Sequence, residues 1–385
     1  MNVPFLDFAR LAARDREEMR TAFARVHDSG WYVLGPEVEA FESAFAVFAG
    51  APHAVGCASG TDAITLALRA LGIGPGDDVL TVSMTCAPTA TGIVNAGARP
   101  VFVDVDPASL TMDPDRLADA LTPRTKAVVP VHLYGRPAPM EAIAAFARSH
   151  ALALVEDCAQ AHGARLAGRS VGMFGDAGAW SFYPTKNLGA LGDAGLVTAR
   201  DAAVAGRLRR LRMYGYETRN DAAESGFNSR LDELQAALLR SRLSRLLERN
   251  ARRAALAARY DAALTGLPGL AIPPPPLPGS EPCHHLYVVR TASREALREK
   301  LRAREIGTDV HYPVAVHQQA AFANFTRGPL PVTESAVAEV LSLPLHPELS
   351  DEEVEGVAAA VREETLSSRA SRTSRRSARR PSRSR

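Results

Sequence analysis

Between Ala54 and Ala199 the sequence alternates short apolar runs, rich in β-branched residues, with longer alanine-rich stretches. The apolar runs have the length of β-strands, and the alanine-rich stretches have the apolar spacing of helices. Strands that are apolar throughout and alternate with helices form a mostly parallel sheet that is covered on both faces. Such a sheet binds its ligands at the carboxyl ends of its strands.

Seven apolar runs are predicted to be strands: HAVGC (53–57), DVLTV (78–82), PVFVDV (100–105), KAVVPVHL (126–133), ALALVED (151–157), AGAWSF (177–182) and AGLVTA (194–199). Crossover helices are predicted at TDAITLALRALG (61–72) and PMEAIAAFARSH (139–150). The predicted fold class is therefore α/β, with a mostly parallel seven-stranded sheet in a large domain.

A smaller α+β domain is predicted after the proline run PPPPLPG (273–279), which interrupts regular structure. A long helical stretch, from about Ser229 to Leu264, precedes the prolines. Three elements are predicted beyond them: a strand at HHLYVVR (284–290), a helix at SREALREKLRAREIG (293–307) and a closing helix at SDEEVEGVAAAVREE (350–364) with Ser350 as its N-cap. We expect domains at 1–250 and 251–366, and a disordered tail at 367–385.

The tail explains the calculated basicity of the chain. Residues 367–385 hold eight arginines and no acid, so removing them changes the net charge from +2 to −6. A segment of serine and arginine cannot form an apolar core, which predicts disorder. Its charge is compatible with binding to nucleic acid, but we expect a solvated extension and no nucleic-acid partner.

Other classes of protein are excluded by composition. The sequence has no run of about 18 apolar residues that predicts a membrane span. Its N-terminus also lacks the basic and then apolar pattern of a signal peptide, so we expect a cytoplasmic protein without a membrane partner. No C-x-x-C pair occurs among the four cysteines, so neither a metal site nor a disulfide framework is expected. The four cysteines are Cys57, Cys86, Cys158 and Cys283.

The first candidate site residues lie in CASGTDA (57–63), where a predicted strand ends and a helix begins. Backbone N–H groups in the first turn of a helix are unpaired and lie at the positive end of its dipole. Gly60, Thr61 and Asp62 are therefore candidates for binding a phosphate. Helix capping alone is the alternative explanation for these residue types.

A second group lies in VEDCAQAHGA (155–164), immediately after a buried strand. Asp157 at the strand end is placed to pair with a positive charge on a ligand, such as the protonated ring nitrogen of a carbanion-stabilising cofactor. Gln160 is near enough along the chain to contact the same ligand. For both residues the alternative is a capping role in the following turn.

The third group lies in WSFYPTKNLGALGDAG (180–195), where Lys186 follows the strand that ends near Ser181. A lysine amine can form an imine with a carbonyl compound and then carry a proton. A solvated surface lysine is the alternative for Lys186 taken alone. A phosphate cradle, an acid that pairs with a pyridinium and an imine-forming lysine, in this order on one sheet, together predict a pyridoxal 5'-phosphate (PLP) site.

These segments carry a resemblance to a known family. GCASGTDA, PVFVDVDPASLTMDP, the long segment from VEDCAQAHGA to KNLGALGDAG, GFNSRLDELQAALL, GTDVHYP and LSLPLHPELS resemble the nucleotide-sugar aminotransferases of the DegT type. That family is PLP-dependent, has fold type I and belongs to the aspartate aminotransferase superfamily. The resemblance covers roughly Val3 to Val361.

The resemblance implies roles for residues already singled out. Lys186 would be the Schiff-base lysine and Asp157 the partner of the pyridine nitrogen. Gln160 would lie near the ring hydroxyl of the cofactor. Ser181 and the backbone of 60–62 would hold its phosphate.

It also implies a homodimer with shared active sites. In the family, an asparagine in the motif that matches FNSRLDE reaches the phosphate of the other subunit's cofactor, and here that residue is Asn228. Sequence patterns alone favour an Asx turn at Asn228. Arg230 is a candidate for binding an anionic group of the substrate, or is solvated at the start of a helix.

Two departures from the family pattern occur beside the predicted site. Where relatives usually have an aromatic residue over the cofactor ring, this chain has Cys86 in TCAPT (85–89). A thiol covers less of a ring than an aromatic side chain does. Relatives more often have glycine in place of Ala194, in the segment that follows the lysine.

The implied reaction is a ping-pong transamination from glutamate, through pyridoxamine 5'-phosphate, to a nucleotide-linked keto sugar. The segments KNLGALGDAG and NSRLDELQAA are more similar to family members that act on 3-keto sugars than to those that act on 4-keto sugars. We therefore expect a dTDP-3-keto-6-deoxyhexose, with a 4-keto sugar as the alternative. Polar side chains that are candidates for the sugar pocket, or for packing roles, are Tyr183, His162, Tyr214, His311, Tyr312 and His317.

Two other functions use the same scaffold. A dehydratase that keeps the cofactor would usually lack the lysine, so Lys186 disfavours it. A regulatory protein that retains PLP and binds nucleic acid through the arginine-rich tail is the remaining alternative.

Overall fold

The computed structural model describes residues 2–377 of the chain, and the side chains of residues 2–367. The helices are α1 (Phe8–Ser29), α2 (Pro36–Ala49), α3 (Gly60–Ala70), α4 (Ala87–Asn95), α5 (Leu117–Ala120), α6 (Met140–Ser149), α7 (Ala202–Leu211), α8 (Glu233–Leu243), α9 (Leu246–Leu264), α10 (Arg294–Ala303), α11 (Pro331–Glu339) and α12 (Asp351–Ser377). The strands are β1 (His53–Cys57), β2 (Asp78–Val82), β3 (Arg99–Val103), β4 (Thr125–Val129), β5 (Ala153–Asp157), β6 (Arg165–Leu166), β7 (Arg169–Ser170), β8 (Ala177–Ser181), β9 (Gly195–Ala199), β10 (Tyr216–Thr218), β11 (Asp221–Ala222), β12 (Ser280–Glu281), β13 (Tyr287–Arg290) and β14 (Val340–Leu343).

The predicted seven-stranded sheet is present, in the order β1-β9-β8-β5-β4-β2-β3. Strand β9 is antiparallel to both of its neighbours, and the other pairs are parallel. The predicted α/β class with a mostly parallel sheet is therefore confirmed. Because β1, β2, β5 and β8 run in the same direction, the residues that follow them meet at one edge of the sheet.

Capping residues account for the ends of several helices. The Ser59 hydroxyl caps α3 by accepting a hydrogen bond from the Asp62 backbone N–H. Ser350 and Glu353 form a capping box at the start of α12, with hydrogen bonds of 3.1 and 2.8 Å. Ser350 is therefore the N-cap that the sequence predicts.

The helical stretch predicted from Ser229 to Leu264 is shorter and interrupted. Residues before Glu233 are not helical, and α8 and α9 are separated at Ser244 and Arg245. Helix α9 continues across position 250, where the sequence predicts a domain boundary. Helix α12 continues to Ser377, into the stretch for which disorder is predicted, and residues 378–385 of that stretch lie outside the described residues.

The N-terminal segment is joined to the smaller α+β part of the chain. The Val3 backbone N–H donates to the Glu305 carbonyl at 3.0 Å, and the Gly307 N–H donates to the Val3 carbonyl at 2.8 Å. Strands β13 and β14 form the antiparallel pair of this part. These contacts hold the N-terminal segment and the smaller part of the chain together beside the large sheet.

An aromatic cluster packs beneath the end of β8. The Phe45 ring lies 5.1 Å from the Trp180 ring and 5.4 Å from the Phe182 ring, measured between centroids. Phe41 lies 5.3 Å from Phe182. All four side chains are fully buried, so they fix the strand end that leads to Lys186.

We predict that Phe45→Ala lowers the free energy of unfolding by about 3–5 kcal/mol, because it leaves a cavity among these rings. Urea denaturation followed by circular dichroism measures this change. Val47→Ala is the matched control on the same helix, because Val47 is 84% exposed and its loss changes stability by about 0.5 kcal/mol or less. Equal effects of the two substitutions would contradict the prediction.

Candidate active site

The N-terminus of α3 lies at the carboxyl edge of the sheet, directly after β1. The backbone N–H groups of Gly60 and Thr61 have no hydrogen-bond partner among the residues that the structure describes. The Asp62 N–H donates a hydrogen bond to the Ser59 hydroxyl oxygen at 3.1 Å. Because free N–H groups at a helix start carry partial positive charge, this turn can hold a phosphate.

Ser181, at the end of β8, lies against this turn. A Cβ atom on Gly60 would lie 2.4 Å from the Ser181 Cβ. Glycine at position 60 therefore allows α3 and β8 to approach closely. The structure thus brings together the residues of 60–62 and Ser181 that the sequence analysis assigns to a phosphate.

Asp157 ends β5 near the middle of the sheet and is 5% exposed. Its Oδ2 accepts a hydrogen bond from the Thr89 hydroxyl at 2.8 Å, and its Oδ1 accepts from the Ala159 N–H at 3.1 Å. Thr85 Oγ1 lies 2.8 Å from Thr89 Oγ1 and completes a short chain of hydroxyls. Burial raises the pKa of Asp157, and the Thr89 hydrogen bond and the Lys186 amine oppose that rise.

A buried group of potential metal ligands, His132, Glu156 and Cys158, lies next to Asp157. His132 Nε2 is 3.0 Å from Glu156 Oε2, and the other ring nitrogen accepts from a backbone N–H. The Glu156 carboxylate also accepts from backbone N–H groups in 172–175. Each ring nitrogen and carboxylate oxygen already has a protein partner, so this group supports the end of β5 through hydrogen bonds.

Lys186 lies on the loop after β8, and its neighbour Asn187 fixes that loop. Asn187 Nδ2 donates to Asn250 Oδ1 and to the Cys283 carbonyl, both at 2.9 Å. Asn187 Oδ1 lies 3.0 Å from His285 Nδ1. The backbone at Lys186 is therefore held from α9 and from the segment before β13.

The Lys186 amine lies in a partly buried position close to an acid. Burial lowers the pKa of Lys186, while the charges of Asp157 and Cys86 oppose the change. A lower pKa increases the fraction of neutral amine near pH 7, and the neutral amine is the form that attacks a carbonyl.

Gln160 connects the sheet edge to the smaller part of the chain. Its Oε1 accepts from the Tyr134 N–H at 2.7 Å, and its Nε2 donates to the Tyr312 hydroxyl at 2.9 Å. The Tyr312 hydroxyl also pairs with the Cys86 thiol, whose pKa is raised by burial. An aromatic side chain from a distant segment of the chain thus lies beside Cys86.

Two predicted residues lie in the segment before α8. Asn228 is exposed, and its side chain has no hydrogen bond within the described part of the chain. Its backbone forms a bridge with Met213. The Arg230 guanidinium lies 5.6 Å from the centroid of the Tyr214 ring. Tyr183, which is 51% exposed, presents a further hydroxyl beside the lysine loop.

Among the predicted histidines, His311 is partly buried beside Tyr312. Its Nδ1 is 2.8 Å from Ser342 Oγ, and its ring stacks on Phe5 at 5.7 Å. His317 is buried, with its ring 2.7 Å from Ser83 Oγ. It lines a cavity together with Asp104 and residues 326–332, and Lys186 is not among the residues around that cavity.

The His162 side chain is buried in the protein core and does not line a surface. Its ring centroid is 5.5 Å from those of Trp180 and Phe182, and it has no exposed surface. Burial lowers the pKa of His162 to about 3. A sugar hydroxyl cannot reach this ring in the structure, so the packing alternative fits His162 better.

The arrangement offers three complementary groups at one edge: a turn that can bind an anion, a buried carboxylate and an amine. A ligand with a phosphate, a protonatable ring nitrogen and a carbonyl satisfies all three. Sequence analysis missed Thr89 and Asn187, which orient Asp157 and the lysine loop. Their partners are distant in sequence, so no local pattern marks them.

Comparison with known proteins gives a consistent result. A model of the DegT/DnrJ/EryC1/StrS aminotransferase family matches residues 13–362. The chain is 49% identical over 363 residues to a protein of Streptomyces venezuelae named dTDP-3-amino-3,4,6-trideoxy-alpha-D-glucose transaminase, covering 94% of this chain and 96% of that protein. It is 46% identical over 364 residues to the erythromycin biosynthesis sensory transduction protein EryC1 of Saccharopolyspora erythraea, covering 94% and 99%.

The fold is similar to the crystal structure of S. venezuelae DesV in complex with a ketimine intermediate. The TM-score is 0.92 at 48% identity, and the match covers 94% of this chain and 98% of that one. This similarity confirms the predicted fold class. Within the described residues, no helix is long and apolar enough to cross a membrane.

We predict that Thr89→Val raises the pKa of Asp157 further, because the ionised carboxylate loses a donor worth about 1–3 kcal/mol. A higher pKa means that Asp157 becomes protonated at a higher pH. Carbon-13 NMR of protein labelled at aspartate carboxyls measures the midpoint. Thr91→Val, on the same helix, removes a hydroxyl that bonds only to the Ala87 carbonyl and should leave the midpoint in place. An unchanged midpoint in Thr89→Val would refute the role of Thr89.

We also predict that Lys186 reacts as a neutral amine at lower pH than an exposed lysine does. Competitive acetylation with trace acetic anhydride, resolved by mass spectrometry, gives the pH of half-maximal labelling for each lysine. Treatment with hydroxylamine first removes any carbonyl compound that is bound to the amine. Lys126, which is exposed, is the internal control. Coincident midpoints for the two lysines would contradict the effect of burial on Lys186.

Proposed function

Because the chain belongs to the DegT/DnrJ/EryC1/StrS aminotransferase family, we propose that it uses PLP to transfer an amino group from glutamate to a nucleotide-linked keto sugar. The sugar we propose is a dTDP-linked 3-keto-6-deoxyhexose. One observation carries this choice: the chain is 49% identical over 94% of its length to a relative named as a dTDP-3-amino-3,4,6-trideoxy-glucose transaminase.

The residues at the sheet edge fit this cofactor. We propose that the turn of 60–62 and Ser181 bind the phosphate, because the turn has free N–H groups and Ser181 packs directly against it. Asp157 pairs with the ring nitrogen, and Gln160 lies near the ring hydroxyl. Bound PLP supplies an electron sink for the carbon that loses its proton, which side chains cannot provide.

Lys186 has two tasks in this proposal. Its Nζ would hold the cofactor through the carbonyl carbon, and once freed it would carry the proton that leaves the α-carbon of the donor. The Thr89 and Ala159 hydrogen bonds favour the ionised form of Asp157 against the effect of burial. Over the full cycle glutamate becomes 2-oxoglutarate and the ketone becomes an amine, so no external oxidant is needed.

A homodimer with shared sites is part of the proposal. Asn228 is exposed and free of side-chain hydrogen bonds within the described chain, which suits a residue that reaches a cofactor phosphate in a second copy. Arg230 and Tyr183 are proposed to contact the substrate. Tyr312 and His311, which lie beside Gln160 and Ser342, are proposed to complete the sugar site.

Two measurements test the proposed function. Adding glutamate to the purified holoenzyme should convert the cofactor absorbance band to that of pyridoxamine 5'-phosphate, with 2-oxoglutarate formed in equal amount. The aminated enzyme should then convert a dTDP-3-keto-6-deoxyhexose to the amino sugar, detected by mass spectrometry. Lys186→Ala should lose turnover by at least about a thousandfold, because the group that moves the proton is gone.

The 4-keto isomer of the sugar is the matched control substrate. Faster amination of the 4-keto isomer would overturn the proposed position of attack. A protein that never binds PLP would overturn the aminotransferase proposal itself.

A second candidate is a regulatory protein, because EryC1, at 46% identity, is named as a sensory transduction protein. DNA binding that depends on salt and is lost when residues 367–385 are removed, without any amination, would favour this candidate. Amination of the 3-keto sugar without such binding would exclude it.

A further inference from the structure

A buried serine joins the phosphate-binding turn to the segment before α8. Ser229 is 1% exposed. Its hydroxyl donates to Asp62 Oδ2 at 2.7 Å and accepts from the Ala58 N–H at 3.2 Å. Its backbone N–H donates to the Arg212 carbonyl at 3.0 Å. The Ser229 hydroxyl is therefore engaged at the start of α3, and its backbone N–H is bound to the residue that follows α7.

Asp62 places a negative charge in a turn that is suited to bind an anion. It lies in the first turn of α3, where the helix dipole stabilises a carboxylate. A carboxylate that is free to rotate there can accept from the N–H groups of Gly60 and Thr61, and it repels a phosphate at the same place. Those N–H groups have no partner in the described structure, whereas the carboxylate is bound to Ser229.

We propose that Ser229 is a positioning residue for phosphate binding. Its hydroxyl holds the Asp62 carboxylate outside the turn, so that the N–H groups of Gly60 and Thr61 remain available to the cofactor phosphate. This inference rests on the proposed function, because the phosphate is that of PLP.

The same contact orients Asn228 and Arg230. The segment around Asn228 forms a backbone bridge with Met213, and side chains alternate in direction along an extended chain. Ser229 faces the start of α3, so its two neighbours project to the other side, where Asn228 is exposed. One hydroxyl therefore links the chain's own phosphate turn to Asn228, which is proposed to act across the dimer, and to Arg230, which is proposed to contact the substrate.

The test compares PLP with pyridoxal, which has the same ring and aldehyde but no phosphate. Titrations of the full-length apoprotein, followed by absorbance, give both affinities. We expect Ser229→Ala to weaken PLP binding by about tenfold or more, because it removes a hydrogen bond to a charged group. Pyridoxal binding should change less than about twofold in the same variant. Equal losses for the two ligands would show general damage to the site and overturn the proposal.

A second substitution tests the role of the charge. Asp62→Asn in the Ser229→Ala background should restore most of the lost PLP affinity, because the carboxamide does not repel the phosphate. Asp62→Asn alone should tighten PLP binding, and this measurement decides the question if Ser229→Ala does not fold. Weaker PLP binding in Asp62→Asn, or no recovery in the double variant, would overturn the proposal.

Ser170→Ala is the matched control. Ser170 is a buried serine on β7, outside the seven-stranded sheet, and its hydroxyl bonds only to the Val171 carbonyl. This substitution should leave the ratio of PLP to pyridoxal affinity unchanged. If the wild-type protein binds PLP while Ser229→Ala binds it equally well, the inference about Ser229 fails and the proposed function stands. A wild-type protein that binds no PLP overturns both.

Discussion

The arrangement at the sheet edge depends on a buried carboxyl group whose charged form is favoured by several contacts. Burial opposes the ionised form of Asp157, and the Thr89 hydroxyl, the Ala159 N–H and the Lys186 amine favour it. These groups come from α4, from the turn after β5 and from the loop after β8. The positions of three separate connections are therefore coupled through one buried carboxyl group, and Glu156 with His132 supports the strand end behind it.

The sheet and the order of the site residues could be predicted from the sequence, because they follow from local patterns. Strands β1 and β2 begin and end at the predicted residues. The sequence analysis did not predict that β9 runs antiparallel. The segment 182–194, which connects β8 to β9, contains no helix. A parallel return in the same sheet usually contains a helix, so a connection without one is compatible with an antiparallel β9.

Contacts between distant segments could not be predicted in the same way. Tyr312 lies beside Cys86 and Gln160, and nothing near Cys86 in the sequence indicates that a tyrosine from the smaller part of the chain lies there. His162 was a candidate for the pocket because its side chain carries polar atoms. Its packing partners, Trp180 and Phe182, belong to another strand and the residue after it, so local sequence did not reveal its burial.

The loop around Lys186 has a consequence for stereochemistry. A Cβ atom on Gly189 would lie 2.4 Å from the Pro184 carbonyl oxygen, so the loop folds tightly on itself. Arg242 donates to the Gly189 carbonyl at 2.6 Å, and the Leu191 N–H is bound to a side chain of α8 at 2.9 Å. These contacts hold the loop backbone, so the methylene chain of Lys186 is the part that can position the amine. In the proposed function, an amine tethered in this way would deliver its proton from one side, and a carbon protonated from one side acquires a single configuration.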